Sequence, residues 1–258
     1  MLIDTNAYLG SFAFRRLQHN RADGLLRLMD EKGIDQAMVS SANAITYRNP
    51  QAGNEELWSE VKAHSDRLLP CAVLNPAYAG WQDDLKICHQ EYGMRGLRLY
   101  PKWHNYALLS DSCRVLITQA TQNHMFVSIP LRVEDYRQQS WLVDVPDIPL
   151  DEFVALVKVF PQARFVLLNG IRYSGSPLGQ KNNGLPDNCR LEISRLSALL
   201  DNEIGTLCAR IGAHRLVFGT GMPFKYPDPA MAKMEVLDQP ESAKEMIRSG
   251  NALRLLEW

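Results

Sequence analysis

Residues 1–10 read MLIDTNAYLG, an apolar stretch with Asp4, Asn6 and Tyr8 at alternate positions. Its composition is that of a buried strand, and successive side chains of a strand point to opposite faces. A carboxylate, an amide and a phenol then share one side of the first element. A chain that opens this way is lining an interior with polar groups.

Further apolar runs recur outward from this one: DQAMVSSA (35–42), LLPCAVLNP (68–76), MRGLRLYP (94–101), MFVSIPL (125–131), ARFVLLNG (163–170), NCRLEIS (188–194) and HRLVFGTG (214–221). Between them lie segments with apolar residues at helical spacing. In ADGLLRLMDEKG (22–33), Leu25, Leu26, Leu28 and Met29 form a face and Gly33 supplies a left-handed stop. The segments 54–67, 111–123 and 150–161 repeat the pattern. Strands alternating with helices predict parallel strands joined by crossovers. The expected fold is therefore α/β, a single (β/α)8 TIM barrel forming one domain over residues 1–258. An open doubly wound sheet is the alternative, but no G-x-G-x-x-G turn follows the first strand.

Two connections are long: RVEDYRQQSWLVDVPDIP (132–149) and RYSGSPLGQKNNGLPDN (172–188). Both follow strands, which places them on the C-terminal face, where barrel enzymes keep their active sites. The second is rich in Gly, Pro, Ser and Asn and predicts a mobile loop with little burial.

The 258 residues, 46% hydrophobic and 22% charged, suffice for a substantial core. With 28 basic and 29 acidic residues the formal net charge is −1, so no global charge recruits nucleic acid or an anionic membrane. No apolar stretch approaches the roughly 18 residues of a membrane span, and the N-terminus has no signal-peptide pattern. A cytoplasmic protein is expected. Five scattered cysteines without CxxC spacing fit reduced core thiols better than a disulfide frame.

Alternation sorts the strand ends into candidate site residues. The first strand offers Asp4, Asn6 and Tyr8; the fourth Arg98, Tyr100 and Lys102; the fifth Ser128 and Arg132. Asn169 ends the sixth, Glu192 and Ser194 the seventh, and Thr220 or Gly221 the eighth. Of the histidines, only His104, just past the fourth strand, falls on the functional face. No serine lies in a G-x-S-x-G turn and no cysteine has a paired base, which argues against a covalent hydrolase.

Several of these segments, taken in order, resemble the amidohydrolase superfamily, particularly its amidohydrolase-related branch of small barrels. IDTNAY (3–8) resembles the I-D-x-H-x-H opening, LMDEKGIDQAMVSS (28–41) the first helix and second strand, and GNEEL (53–57) the start of the second helix. MRGLRLYP resembles the fourth strand, RLVFGTGMPF (215–224) the F-G-S-D-x-P eighth strand, and GNALRLL (250–256) the closing helix. The resemblance implies a divalent metal held by two first-strand histidines, a histidine of the fifth or sixth strand and an eighth-strand aspartate. Asn6, Tyr8, Asn169 and Gly221 stand at those positions, and the fifth-strand segment has no histidine.

Neutral amide and phenol oxygens are poor zinc ligands, and glycine offers no side chain. The expectation is a barrel without the usual metal, zinc included, and without another cofactor. It would act on or bind a small anionic metabolite, a carboxylate or lactone-like compound. Asp4, Lys102 and His104 are the acid–base candidates, and Asn6, Tyr8, Arg98, Tyr100, Arg132 and Asn169 would hold the ligand. Three alternatives stand beside this. The basic residues, Arg172 among them, could merely pair with Asp4, Glu134, Asp135 and Glu192, the barrel could bind a metabolite or partner without catalysis, or His104, Asp4 and a loop carboxylate such as Glu134 could build a relocated metal site. By resemblance a homo-oligomer is expected.

Overall fold

The computed structural model describes residues 1–257; Trp258, the last residue of the expected domain, lies outside the described residues. Eight parallel strands pair in sequence order: β1 (Ile3–Leu9), β2 (Gln36–Ser41), β3 (Leu68–Val73), β4 (Gly96–Arg98), β5 (Phe126–Pro130), β6 (Phe165–Leu168), β7 (Cys189–Glu192) and β8 (Leu216–Val217). Backbone bonds close the ring, from Thr5 N to Phe218 O at 3.1 Å, Gly221 N to Asn6 O at 2.8 Å and Tyr8 N to Met222 O at 2.9 Å. The expected (β/α)8 barrel is present.

Helices α1 (Ala22–Lys32), α2 (Pro50–Val61), α3 (Trp81–Lys86), α4 (Asp111–Gln122) and α5 (Leu150–Val159) follow the first five strands. The chain then adds α6 (Glu203–Ile211) after β7, and α7 (Asp228–Val236), α8 (Glu241–Glu245) and α9 (Asn251–Leu256) after β8. Gly33 ends α1 at φ 65°, as its sequence position indicates. Between β6 and β7 the chain makes only the turns Tyr173–Gly175 and Pro177–Gly179. This connection is less loose than its composition implied. Tyr173 and Leu178 are buried in the core, and Tyr173 Oη donates to Leu167 O at 3.3 Å.

The apolar mass lies between the strands and the outer helices. The lumen is layered. Ile3, Met38, Cys71, Phe126 and Val217 form an apolar floor plugged by Ala252 and Leu255 of α9. Tyr8, Phe12, Tyr100 and Phe224 form an aromatic cluster nearer the C-terminal mouth. Buried polar residues, among them Asn6, Ser40, Arg98, Ser128, Asn169 and Glu192, belong to the barrel interior as well.

The register of β1 against β2 shifts between Asp4 and Ala7, so strict alternation does not hold through it. The Thr5 carbonyl there accepts from Arg98 Nη2 at 3.0 Å. All five cysteines are free thiols. Among the described residues no helix is long and apolar enough to cross a membrane.

Candidate functional site

Beyond β8 the chain turns back on itself, Lys225 N donating to Gly221 O at 3.1 Å. Gly221 has φ 80°, a conformation that glycine adopts without steric cost. With no Cβ there, the Lys225 side chain folds across it. An added Cβ would lie 3.1 Å from Lys225 Cδ and 3.3 Å from Cε. This turn carries the ammonium to the barrel mouth.

There, Lys225 Nζ donates to Asn169 Oδ1 at 2.7 Å and to Ser194 Oγ at 2.9 Å. Asn169 is held for this contact. It sits at φ 56°, its N–H donates to Glu192 Oε2 at 2.9 Å, and its Nδ2 donates to Arg132 O at 3.0 Å. Ser194 Oγ donates to the same Glu192 oxygen at 3.0 Å. Glu192 thus anchors both acceptors from behind without touching the ammonium. Burial pushes the Lys225 amine down to about 7, against the pull of Glu192 and with the repulsion of Arg195 and Lys233.

Above this group opens a cleft of about 830 Å³, lined by the cations Arg15, Arg16, Arg137, Arg195, Lys225 and Lys233 and by Asp135. The connections after β1, β5 and β8 supply most of its walls. Arg15 from the β1–α1 connection pairs with Glu134 at 3.2 Å and donates to Phe224 O at 2.8 Å. Asp135 bonds Arg137 and Arg195, whose guanidiniums hold its carboxyl well below the usual range. One wall carboxylate among so many cations leaves a positive field, which desolvated walls strengthen.

Two buried groups of β1 lack partners. Asn6 Nδ2 donates to Asn169 Oδ1 at 3.1 Å and approaches Glu192 Oε2 at 3.4 Å, leaving Asn6 Oδ1 unsatisfied. The Tyr8 hydroxyl is unsatisfied too, while its ring lies under the Arg98 guanidinium at 5.0 Å and against Phe224 at 4.9 Å. Unpaired buried polar atoms are costly, so such atoms call for an explanation.

The residues singled out from the sequence divide among several places. Asn6 and Asn169 meet each other, and Asn169 bonds Lys225. The Asp4 carboxylate bridges β1 to the end of β8, accepting from Asn6 N at 2.8 Å, Thr220 N at 3.0 Å and the Thr220 hydroxyl. Its burial outweighs these bonds and raises its pKa to about 6. Arg98 spends its donors inside the barrel: on Thr5 O, Ala7 O and Ser40 Oγ, each at 3.0 Å, and on Ser128 Oγ at 3.1 Å. It is a strut across four strands and does not line the cleft. Tyr100 Oη shares a hydrogen with Ser40 Oγ at 3.2 Å.

Tyr100, Lys102 and Arg132 border a smaller cavity of about 170 Å³ between the loops after β4 and β5. Lys102 pairs there with Glu152 at 2.7 Å, and Arg132 with Asp147. His104 lies outside both cavities. Its Nε2 bonds Ala44 O at 3.1 Å, and burial lowers its pKa. The expected convergence of Arg98, Lys102 and Arg132 on one anion is therefore not what the structure brings together. The converging cations are Lys225, Arg195, Lys233 and Arg15, which alternation within strands does not reach because they lie beyond strand ends. Lys225 carried one legible signal, its place four residues after Gly221 on the face where the last strand ends.

The residues present do not fit the divalent metal that the resemblance implies. Asn169 Oδ1 already receives an ammonium, burial pushes the Tyr8 phenol far up in pKa, and the Gly221 position is filled by Lys225. Among the described residues no three His, Cys, Asp or Glu side chains gather to hold a metal. A divalent ion about 4 Å from a charged Lys225 would also meet a repulsion on the order of 8 kcal/mol at an effective dielectric of about 20.

Neither a protein-family model nor a curated protein matches the sequence. Solved structures do match in fold. A putative amidohydrolase from Staphylococcus aureus has a TM-score of 0.75 at 13% identity, covering 99% of both chains. A 2,6-dihydroxybenzoate decarboxylase, complexed with 2,6-dihydroxybenzoate, has a TM-score of 0.72 at 19% identity, covering 99% of this chain and 97% of the other. A probable 2-pyrone-4,6-dicarboxylic acid hydrolase from Acinetobacter baumannii, with citric acid bound, scores 0.68 at 13% identity and covers 100% and 99%. At these identities the likeness is one of fold.

Proposed function

We propose that this chain is an amidohydrolase-related barrel that takes a small carboxylate or lactone-like metabolite at its C-terminal mouth and works on it with its own acid–base groups, without a catalytic metal. The observation that carries the reading is Lys225, an amine titrating near 7 on the floor of a cleft walled by further cations. Charged, it holds an oxyanion beside Arg195; neutral, it accepts a proton, and a group with a pKa near the working pH does both. Three solved barrels of this shape are described as a carboxylate decarboxylase, a 4-oxalomesaconate hydratase and a probable dicarboxylic acid hydrolase, which supports an anionic substrate.

A second reading, ligand binding without turnover, rests on a specific observation. Asp4, Lys102 and His104, the acid–base candidates of the sequence, are each held in contacts within the protein. A thermal-shift screen of small carboxylates and phosphates tests what the two readings share, since a ligand that prefers the native state raises the melting temperature. No shift with any anion would refute both. A stabilising compound that is chemically changed on incubation, followed by proton NMR, selects the enzyme, and one that is unchanged selects the binder.

A further inference from the structure

The donor set around Asn6, Tyr8, Asn169 and Gly221 does not fit a divalent metal, yet the place is not without positive charge. We propose that Lys225 is the resident cation of this barrel: its side chain occupies the space of a carboxylate-bearing side chain at position 221, and its ammonium takes the metal's place as the docking point for the ligand's oxyanion. This deepens the function proposed above and rests on it for the identity of the ligand as an anion.

Three independent features of the geometry support it. Space comes first: a Cβ at Gly221 would lie 3.1, 3.3 and 3.4 Å from Lys225 Cδ, Cε and Nζ, so a side chain at position 221 would crowd Lys225 in its present place. The second is the acceptor set. The ammonium is held by Asn169 Oδ1, the same oxygen that receives Asn6 Nδ2, so residues at two of the implied metal-ligand positions converge on this one amine contact. The third is charge. A divalent ion with one aspartate carries one net positive charge, which is what a protonated lysine paired with a glycine carries. Exchanging Asp and metal for Gly and Lys therefore conserves the net charge presented to a ligand while the amine is protonated, and removes the exchangeable ion. Asn169 and Ser194 use two of the three ammonium hydrogens, leaving one for a ligand at the cleft.

Two measurements on the intact chain decide the proposal. The first is elemental analysis of protein produced in medium supplemented with zinc and manganese, paired with calorimetric titration of Mn²⁺ and Zn²⁺. The expected result is no stoichiometric metal and no saturable site at the barrel mouth. About one equivalent retained through dialysis would overturn the proposal whatever the ligand proves to be. The second uses citrate as probe on the wild type, Lys225→Met and Lys225→Arg, with circular dichroism to establish folding. Lys225→Met is expected to lose at least about tenfold in affinity and Lys225→Arg to keep most of it, because removing one partner of a desolvated charge pair typically costs that much or more. Equal binding by wild type and Lys225→Met would overturn the docking role. If the wild type binds neither citrate nor any other carboxylate, the proposed function fails and the docking role fails with it, while the metal measurement still decides whether Lys225 has displaced the ion.

Discussion

Lys225 packs tightly over Gly221: its Cδ lies 3.1 Å from the place a Cβ on residue 221 would take. Gly221→Ala is thus expected to act at a distance of four residues. The added methyl is strained at φ 80° and crowds the Lys225 side chain, which must give way by a few tenths of an ångström and so loosens its contacts to Asn169 and Ser194. A loss of about 1–2 kcal/mol in urea denaturation is expected, together with weaker anion binding. A variant that loses stability but binds anions as before would show that this packing has no role at the site.

Lys225 sets a pH dependence for binding. Its folded pKa is lowered from 10.5 to about 7 by burial, so the free protein holds the charged amine below that value and loses it above. Carboxylate affinity should be greatest below pH 7 and fall by up to about tenfold per pH unit above it, until the pKa of the complex is reached. Lys225→Arg should remove that decline. The sign for folding is opposite: the unfolded state binds more protons between the two values, so this group's contribution to stability rises with pH there. Isothermal titration across pH 6–9 checks the binding arm.

Asp4 sets another. Its folded pKa is raised from 3.8 to about 6, so the native state keeps a proton that the unfolded chain has released. The stabilisation is fully present below the unfolded value and lost as pH rises through about 6, a change of about 3 kcal/mol. Asp4→Asn is neutral throughout and should flatten that slope. Chemical denaturation of both proteins between pH 4 and 7 compares them directly, and parallel slopes would refute the assignment.

Arg98 is expected to behave as structure rather than as a ligand contact. Its guanidinium satisfies carbonyls of Thr5 and Ala7 and hydroxyls of Ser40 and Ser128. Arg98→Ala would orphan these acceptors and cost about 3–5 kcal/mol. Arg98→Lys should recover only part, since one ammonium has three donors and no planar fork. Citrate affinity of the folded fraction should stay within about threefold of wild type; a larger fall would return Arg98 to the binding site.

The barrel was legible because its signal is distributed. Each apolar run flanked by helical periodicity votes for the same topology, and even the two-residue β8 falls within its run, HRLVFGTG. The site was legible only where residues lie on strands. Asn6 and Asn169, candidates from the first strand and the end of the sixth, do meet each other, and Asn169 bonds Lys225. Arg98 is expected from the sequence at the mouth as an anion contact, whereas it spans the interior, because sequence cannot show that a register shift in β1 leaves the Thr5 carbonyl for it to cap. Lys102 and Arg132 were claimed by Glu152 and Asp147, partners set by how loops pack. Lys225 was missed because its position depends on a turn after β8 and on the absent Cβ of Gly221, neither of which has a period to read.

Anomalous diffraction from crystals grown with 4-bromophthalate, a dicarboxylate bearing its own scatterer, reads out whether Lys225 is the docking point of the anion. The bromine is expected inside the large cleft, with a carboxylate on Lys225 Nζ and the second facing Arg195 or Lys233. A bromine in the small cavity beside Lys102 and Arg132, or none in the cleft at saturating probe, would contradict it.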